Sequence, residues 1–445
     1  MLNFLRRITP KFIFDIYHRT LGWLASVVYG NPSEELIVIG VTGTNGKSTV
    51  VYLISELLRS LGHKVGWAST ISFGVGERSW LNSLKMTTPG RFFLQHLLRQ
   101  MVSAGCEFAV LEMSSESVLQ HRHKQINFDV MVFTNLTPEH LERHRGFENY
   151  KQAKLELFRH LKQVSSSKYQ VASIAPKLKE KLAVINADDR HAGEFLEVSP
   201  EKRITFGIES NSANLQTTNY NLLTSSSEFT ISGVEFKIQL IGKFNIYNEL
   251  AAIATVTQLG LTLEDCSQAL QKIKPPAGRI EVINEGQNFG VIVDYAPEPN
   301  ALAATYEALK IFKSNQLIHV LGSAGGGRDK SRRGVLGQMA GKTADIVIVT
   351  NEDPYDEDPG SIISEVAVGA IESGKKENEN LFKILDRREA IKKAFQLAKP
   401  QDLVLLTGKG SEQAIVVAGG KKIAWDERKV AREELQKLSL TQPHQ

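Results

Sequence analysis

Three observations predict an α/β protein. From residue 35 onward short apolar runs alternate with helix-period segments, a second such series follows residue 278, and a glycine-rich loop joins the first strand to the first helix. The 445 residues are 42% hydrophobic and 23% charged, with 34 Gly and 14 Pro, which is ordinary globular usage and excludes disordered, collagen-like and coiled-coil classes. One hydrophobic core stops growing well below this length, so two or three domains are expected.

At the N-terminal end Arg6, Arg7 and Lys11 precede an apolar stretch that Asp15, His18 and Arg19 interrupt. The uninterrupted part, Leu21 to Tyr29, falls far short of a membrane span. A helix from about Pro10 to Tyr29 is expected, packed on the body of the protein or, through its basic and aromatic residues, lying on a membrane surface. Glu35–Val41 then reads as a buried strand, Lys47–Leu61 and Arg91–Ala104 as helices, and Phe108–Glu112 and Val130–Thr134 as strands. Phe147–Leu161 reads as a helix and Leu182–Asn186 as a strand. Three β-type runs, Arg203–Gly207, Glu228–Ser232 and Glu235–Leu240, are separated by Ser, Asn and Thr and predict a small antiparallel flap. Helices follow at Ile246–Leu259 and Leu263–Ile273, and Lys274–Gly278, with two prolines and a glycine, is the clearest linker. Beyond it, strands at Val291–Asp294, Leu317–Leu321, Ile346–Thr350 and Leu403–Leu406 alternate with helices near 299–313, 332–343, 361–373 and 388–398.

The balance of 53 Lys and Arg against 49 Asp and Glu gives a net charge of +4, too small for a nucleic-acid-binding field. Two cysteines, Cys106 and Cys266, cannot build a disulfide framework or a Cys-rich zinc site and fit a reducing, cytoplasmic compartment. His140 and His144 are four apart, but Glu142 is misplaced for a zinc helix. His121 and His123 read as solvated polar residues.

The stretch Gly40-Val-Thr-Gly43-Thr44-Asn45-Gly46-Lys47-Ser48-Thr49 has the strand–loop–helix context of a phosphate-binding loop. Glycines let the backbone approach, N–H groups cradle phosphates, Lys47 reaches the outer oxygens and Ser48 can ligate Mg²⁺. A glycine-rich turn with a surface lysine is the alternative. ATP and Mg²⁺ are the expected cofactors. The predicted layout is an N-terminal helical segment (1–34), a central ATP-binding domain with a mostly parallel sheet and the flap (35–275), and a Rossmann-like α/β C-terminal domain (276–445).

The variant loop T-G-T-N-G-K-S-T resembles that of the Mur ligase family of ATP-dependent amide-bond synthetases. Further matches run in order along the chain: Thr87-Thr88-Pro89, Leu111-Glu-Met-Ser-Ser115, Gln120-His-Arg122, Thr134-Asn-Leu-Thr-Pro-Glu-His140, Tyr150-Lys-Gln-Ala-Lys154, Asn186-Ala-Asp-Asp189, Phe244-Asn-Ile-Tyr-Asn248, Gly278-Arg-Ile-Glu281, Asp294-Tyr-Ala296, Gly327-Arg-Asp-Lys330 and Gly408-Lys-Gly-Ser-Glu412. Their spacing is most similar to the MurE branch, which adds an amino acid to UDP-N-acetylmuramoyl-dipeptide in peptidoglycan synthesis.

The resemblance implies that Lys47, Glu112, His140 and Lys154 are catalytic, with Ser48, Glu112, His140 and a carbamylated Lys154 around magnesium. It places ATP on Gly43 to Thr49, Asn245, Asn248 and Arg279, and the acceptor on Thr87, Thr88, Ser114 and Arg122. Read alone, Glu112 could be a solvated carboxylate, Asn245 and Asn248 helix caps, and Thr87–Pro89 a capped helix start. The incoming amino acid falls to Arg328, Asp353, Tyr355, Gly408 and Glu412. Branch members that add meso-diaminopimelate carry Asp-Asn-Pro-Arg where this chain has Glu352-Asp353-Pro354-Tyr355, and tyrosine cannot pair bidentately with a carboxylate. Glu352, Asp353, Asp356, Glu357 and Asp358 suggest a field for a cationic side chain, or simply a solvated acidic loop.

Pro297 and Glu116 replace histidines of the pattern, and about 33 residues precede the first strand where the branch has a UDP-holding domain. A differently held acceptor, one lacking UDP, or a partner is therefore expected. Two rival readings remain: a folylpolyglutamate-synthase-like ligase, and a non-catalytic nucleotide-binding subunit with a protein partner.

Overall fold

The computed structural model describes residues 11–139, 141–163, 180–217 and 219–441. They form two compact units. The first comprises residues up to Asn221 with Glu228–Ile238 and Phe244–Ile273; the second comprises Leu222–Ser227, Gln239–Lys243 and the chain from Lys274 onward.

The first unit opens with helix α1 (Lys11–Val28), then β1 (Ile37–Thr42), α2 (Lys47–Ser60), β2 (Val65–Ala68), β3 (Ser72–Val75), β4 (Arg78–Leu81), α3 (Arg91–Ser103), β5 (Phe108–Glu112) and α4 (Ser115–Leu119). It continues with β6 (Val130–Phe133), α5 (Leu141–His144), α6 (Phe147–Gln163), β7 (Leu182–Asn186), α7 (Ala192–Val198), β8 (Arg203–Gly207) and β9 (Leu215–Gln216). The strands make one sheet in the order β4-β3-β2-β5-β1-β6-β7-β8-β9. All six residues of β1 are buried, and it runs parallel to β5, with Val41 opposite Glu112, and to β6, with Thr42 opposite Phe133. Such a strand, covered on both faces, must be apolar nearly throughout, which is why its run is legible. Successive connections leave β1 towards opposite sides, so the loops after β1, β5 and β6 share one sheet edge, where α/β folds open a crevice.

Two features depart from expectation. Arg203–Gly207 is not part of the flap: as β8 it pairs in parallel with β7, Ala183 opposite Arg203. Its polar start at an outer position of the sheet hides the continuous apolar run of a central parallel strand. Strands β2 to β4 carry weak signals because each has four residues and β4 is exposed along its length. The antiparallel pairing of β2 with β3 brings Trp67 flat against Gly74, where a side chain would strike the indole ring.

A separate three-stranded sheet holds β10 (Tyr220–Leu222), β11 (Ser227–Ile231) and β12 (Val234–Ile238). Ser232 and Gly233 join the last two with φ of 48° and 86°, the doubly left-handed turn of a tight hairpin. Helix α8 (Lys243–Thr257) is buried over most of its length, and α9 (Leu263–Leu270) starts on a reciprocal capping box of Thr262 and Asp265.

The second unit contains β13 (Glu281–Val282), β14 (Gly290–Val293), α10 (Pro299–Leu309), β15 (Leu317–Leu321), α11 (Ser331–Thr343), β16 (Ile346–Thr350), α12 (Pro359–Glu372), β17 (Leu381–Ile384) and α13 (Arg387–Leu397). It ends with β18 (Leu403–Leu406), the hairpin β19 (Ala414–Val416) and β20 (Lys422–Ala424), and α14 (Glu427–Thr441). Its six-stranded sheet runs β13-β14-β18-β15-β16-β17, parallel except for β13, the Rossmann-like arrangement expected. Arg387, at the start of α13, is fully buried: it donates to both carboxylate oxygens of Glu427 and to the carbonyls of Asn351 and Thr407. One guanidinium thus fixes the loops after β16 and β18. Removing one partner of a buried pair strands the other charge, at a cost of about 3–5 kcal/mol. Glu427→Gln should therefore lower hydrogen-exchange protection of β14, β15 and β18 amides by a loss of that order; unchanged protection would show that other contacts hold these loops.

Candidate active site

Polar clusters stand at the C-terminal ends of the parallel strands in both units. In the first, the loop after β1 turns through Gly43 (φ 151°) and Gly46 (φ 84°) into α2. A Cβ on Gly43 would strike Thr134 Oγ1, and one on Gly46 would strike Asn248 Oδ1, so glycine is required by contact as well as by backbone. Asn135 accepts the Thr44 N–H on its carbonyl at 2.8 Å and the Asn45 N–H on its side-chain oxygen at 2.9 Å. Lys47 donates from Nζ to the Thr44 carbonyl at 2.7 Å. Thr49 is buried in the first turn of α2.

Ser48 donates its hydroxyl to Glu112 Oε2 at 2.8 Å. The same carboxylate accepts the Thr70 N–H at 2.7 Å and the Thr70 hydroxyl at 3.1 Å, and that hydroxyl lies 3.1 Å from Thr87 Oγ1. Thr88 donates to the Glu112 carbonyl at 2.9 Å and accepts the Ser114 N–H at 3.0 Å. Arg122 reaches the carbonyls of Thr88 and Pro89. Glu112, Ser48, Thr87, Thr88, Ser114 and Arg122 thus form one connected network. Thr87 and Thr88 do not cap α3, whose N-cap is Gly90.

Lys154, 1% exposed on α6, donates to the Gly43 carbonyl at 2.6 Å and lies 4.7 Å from the Tyr150 ring centre. Burial, then the charge of Lys47, pushes its amine well below the usual lysine range. Tyr150 hydroxyl bonds Thr44 Oγ1 at 3.0 Å. Asn245 and Asn248 lie inside α8 rather than capping it, both buried and joined at 3.0 Å. His140 lies outside the described residues. His144 is buried against Ser115 Oγ at 3.0 Å. His123 is not solvated: it is fully buried, neither ring nitrogen has a hydrogen-bond partner among the described residues, and burial pushes it down to about 2.

In the second unit Arg279 stacks on the Tyr295 ring at 4.5 Å. Tyr295, half-buried by exposure, feels the charges of Glu412, Arg328, Arg279 and Glu352, and its hydroxyl is pushed upward, chiefly by burial. Tyr355, at φ 52°, lies against Gly326 and hydrogen-bonds Arg328. The structure therefore gathers Arg328, Tyr355, Gly408 and Glu412 on neighbouring loops. The acidic segment, however, is not an open field. Asp353 accepts Lys409 Nζ at 3.0 Å and the Val416 N–H at 2.7 Å; Asp356 accepts the Gly419 N–H; Glu357 pairs with Arg333 and Lys330; and Asp358 caps α12. Lys409 also binds Glu412 at 2.7 Å. Glu352 is buried, its Oε2 has no hydrogen-bond partner among the described residues, and burial pushes its carboxyl up to about 7. The cationic-side-chain reading loses its electrostatic support.

Thr70 was not legible as a site residue, since a lone threonine between short strands carries no motif. Asn135, Tyr150, Tyr295 and Lys409 lie inside motifs that mark their segments but not their individual contacts.

Residues 41–256 match the Mur ligase middle domain and residues 278–410 the Mur ligase, glutamate ligase domain. A UDP-N-acetylmuramyl-tripeptide synthetase of Roseiflexus sp. (strain RS-1) is 38% identical over 426 residues, 94% of this chain and 82% of the relative. The chain belongs to the Mur ligase family. This ligase is accordingly an ATP-dependent, ADP-forming enzyme. A solved UDP-N-acetylmuramoyl-L-alanyl-D-glutamate–2,6-diaminopimelate ligase is similar at TM-score 0.59 and 30% identity, covering 91% of this chain and 79% of that one. Folylpolyglutamate synthase of Mycobacterium tuberculosis, at 15% identity and TM-score 0.67 over 96% of both chains, shares the fold alone.

Glu352 offers a measurement free of turnover. Its folded carboxyl keeps a proton up to about pH 7, against 4.5 as the ordinary value, so the folded state binds more protons between them. Stability present below about pH 4.5 is then lost as pH rises through 7. Glu352→Gln should stabilise the second unit at pH 8 by on the order of 3 kcal/mol and give little gain at pH 4 in urea unfolding. A gain independent of pH would exclude this titration.

Proposed function

We propose that this ligase joins an amino acid to the terminal carboxylate of a UDP-N-acetylmuramoyl-dipeptide, making a peptidoglycan precursor at the expense of ATP. The observation that carries the reading is the Ser48–Glu112–Thr88–Ser114 network, which links the phosphate loop to the acceptor-side residues. The acceptor carboxylate attacks the γ-phosphorus in line, ADP departs and an acyl phosphate forms; the amine then attacks the acyl carbon, phosphate departs and the amine loses a proton. Lys47 offsets the charge spread over the transferring oxygens.

Magnesium fits the donors present. Ser48 and Glu112 are hard oxygen ligands 2.8 Å apart, and Mg²⁺ fills its shell with few protein oxygens plus phosphate and water. Ser48 and Glu112 would hold it, with His140 and Lys154 as further candidates. It would supply charge neutralisation on the phosphates. The neutral amine that burial favours at Lys154 is the form that adds CO₂ to become an anionic carbamate. Asn245, Asn248 and Arg279 serve the nucleotide, Thr87, Thr88, Ser114 and Arg122 the acceptor, and Arg328 and Glu412 the carboxylate and amino groups of the added amino acid. Two free, buried cysteines fit a reducing compartment.

The test is ATP-dependent phosphate release with UDP-N-acetylmuramoyl-L-Ala-D-Glu and a panel of amino acids, with mass detection of the product and a folate as control acceptor. A muramoyl tripeptide is the expected product, and Lys47→Ala should slow its formation by at least about 100-fold. Folate turnover, or none with any acceptor, would overturn the reading. Because Tyr355 carries no charge for a distal carboxylate, diaminopimelate should be a poor substrate, and Tyr355→Arg should raise its kcat/KM by about tenfold or more, the worth of one charged hydrogen-bonded pair. Efficient use of diaminopimelate by the unaltered protein would sink this specificity argument.

A further inference from the structure

Helix α1 is amphipathic in an inverted sense. At 100° per residue, Ile13, Ile16, Tyr17, Trp23, Leu24, Val27 and Val28 fall on one side, an arc of roughly 140°. All seven are exposed, Ile16 and Val28 at 60% and Trp23 at 56%. The opposite side carries small or polar residues, and it is the side that meets the protein. Ala25 and Ser26 are buried, and a methyl group at Gly22 would lie 3.5 Å from the Gln125 side chain and 3.7 Å from that of Arg91.

The orientation is fixed by polar contacts that rolling the helix would break. Asp15 pairs with His121 at 3.2 Å, and Ser26 donates to Asn31 at 2.8 Å. Arg99, on α3, donates to the carbonyls of Tyr29 at 2.7 Å and Gly30 at 2.8 Å and pairs with Glu35. Tyr29 also stacks obliquely on His96, 5.3 Å between ring centres. The apolar side therefore faces outward as a consequence of how α1 is docked.

We propose that α1 seats this ligase on an anionic lipid surface, its apolar side entering the headgroup boundary and the positive charge of the N-terminal segment drawing it to the lipid phosphates. Charge selects this occupant. The first 30 residues carry Arg6, Arg7, Lys11 and Arg19 against a single acid, Asp15, which is already paired with His121. Tyr17 and Trp23 have the amphipathic rings that favour the bilayer–water boundary. No described helix is long and apolar enough to span a bilayer, so the mode is interfacial. The proposal stands independently of which acceptor the enzyme uses.

The full chain, mixed with vesicles of phosphatidylcholine containing phosphatidylglycerol, should float with them, bind pure phosphatidylcholine at least about tenfold more weakly, and release as salt rises. Arg6→Gln with Arg7→Gln should weaken binding about fivefold per charge. Ile16→Glu with Val27→Glu, both on the exposed side, should abolish flotation while circular dichroism and phosphate release in solution stay unchanged. Light scattering is run on the same samples. Flotation that survives Ile16→Glu/Val27→Glu, or no flotation on anionic vesicles at low salt, overturns the proposal. So does a dimer that this double variant splits without any vesicle binding, which would make the face a contact between two copies.

Discussion

A buried carboxylate is the constraint on which the first unit is arranged. Glu112 ends β5 at 3% exposure, where an anion is costly unless donors surround it. Three arrive: the Ser48 hydroxyl from the first turn after the phosphate loop, and the N–H and hydroxyl of Thr70 from the loop after β2. The Glu112 carbonyl takes the Thr88 hydroxyl. One residue thus holds together three segments that the sheet order only brings into the same neighbourhood. The oxygen pair made by Ser48 and Glu112 is also the hard-donor pair that suits magnesium, so the contacts that organise these loops coincide with the requirements of phosphoryl chemistry.

The second unit solves a similar problem with buried cations. Arg387 binds Glu427 and two loop carbonyls, while Lys409, fully buried, binds Asp353, Glu412 and the Ala414 carbonyl. Buried polar networks hold one geometry when their members are satisfied. Their acids are consequently spent on structure. Glu352 is the exception, with one oxygen unpartnered among the described residues and a raised proton affinity. The segment from Glu352 to Asp358 owes its shape to charges that a count of acids would assign to a ligand.

That difference explains what was legible in the sequence. Central parallel strands such as β1, β5, β15 and β18 must be apolar on both faces, and their runs announce them to within two residues. The phosphate loop was equally plain because Gly43 and Gly46 answer to backbone geometry and close contact. Arg203–Gly207 was placed in the wrong sheet because a strand near the edge needs only one apolar face. His123 was misplaced at the surface because residue type carries no information about burial. Thr70 escaped altogether: its role depends on Glu112, 42 positions away, and no local pattern encodes that distance.

Helix α1 carries the same lesson to its end. Its apolar period is visible in the sequence, and the ordinary inference from such a period is that the apolar side faces the core. The structure reverses this because Gly22, Ala25 and Ser26 allow a closer approach than Trp23 or Ile16 could. The surface they dock on is connected to Arg122 and Thr88. Arg91, beside Gly22, donates to the Gln120 carbonyl at 2.5 Å; Arg122 donates to the Gln120 side chain at 2.6 Å and to the Thr88 carbonyl. Proximity of this kind is not energetic coupling, which needs an element with two arrangements. It does fix orientation. A helix tied by Arg99, Asp15 and Gly22 cannot settle on a surface without setting the attitude of the Glu112 network relative to that surface, because α1, α3 and the segment from Thr88 to Arg122 belong to one compact unit.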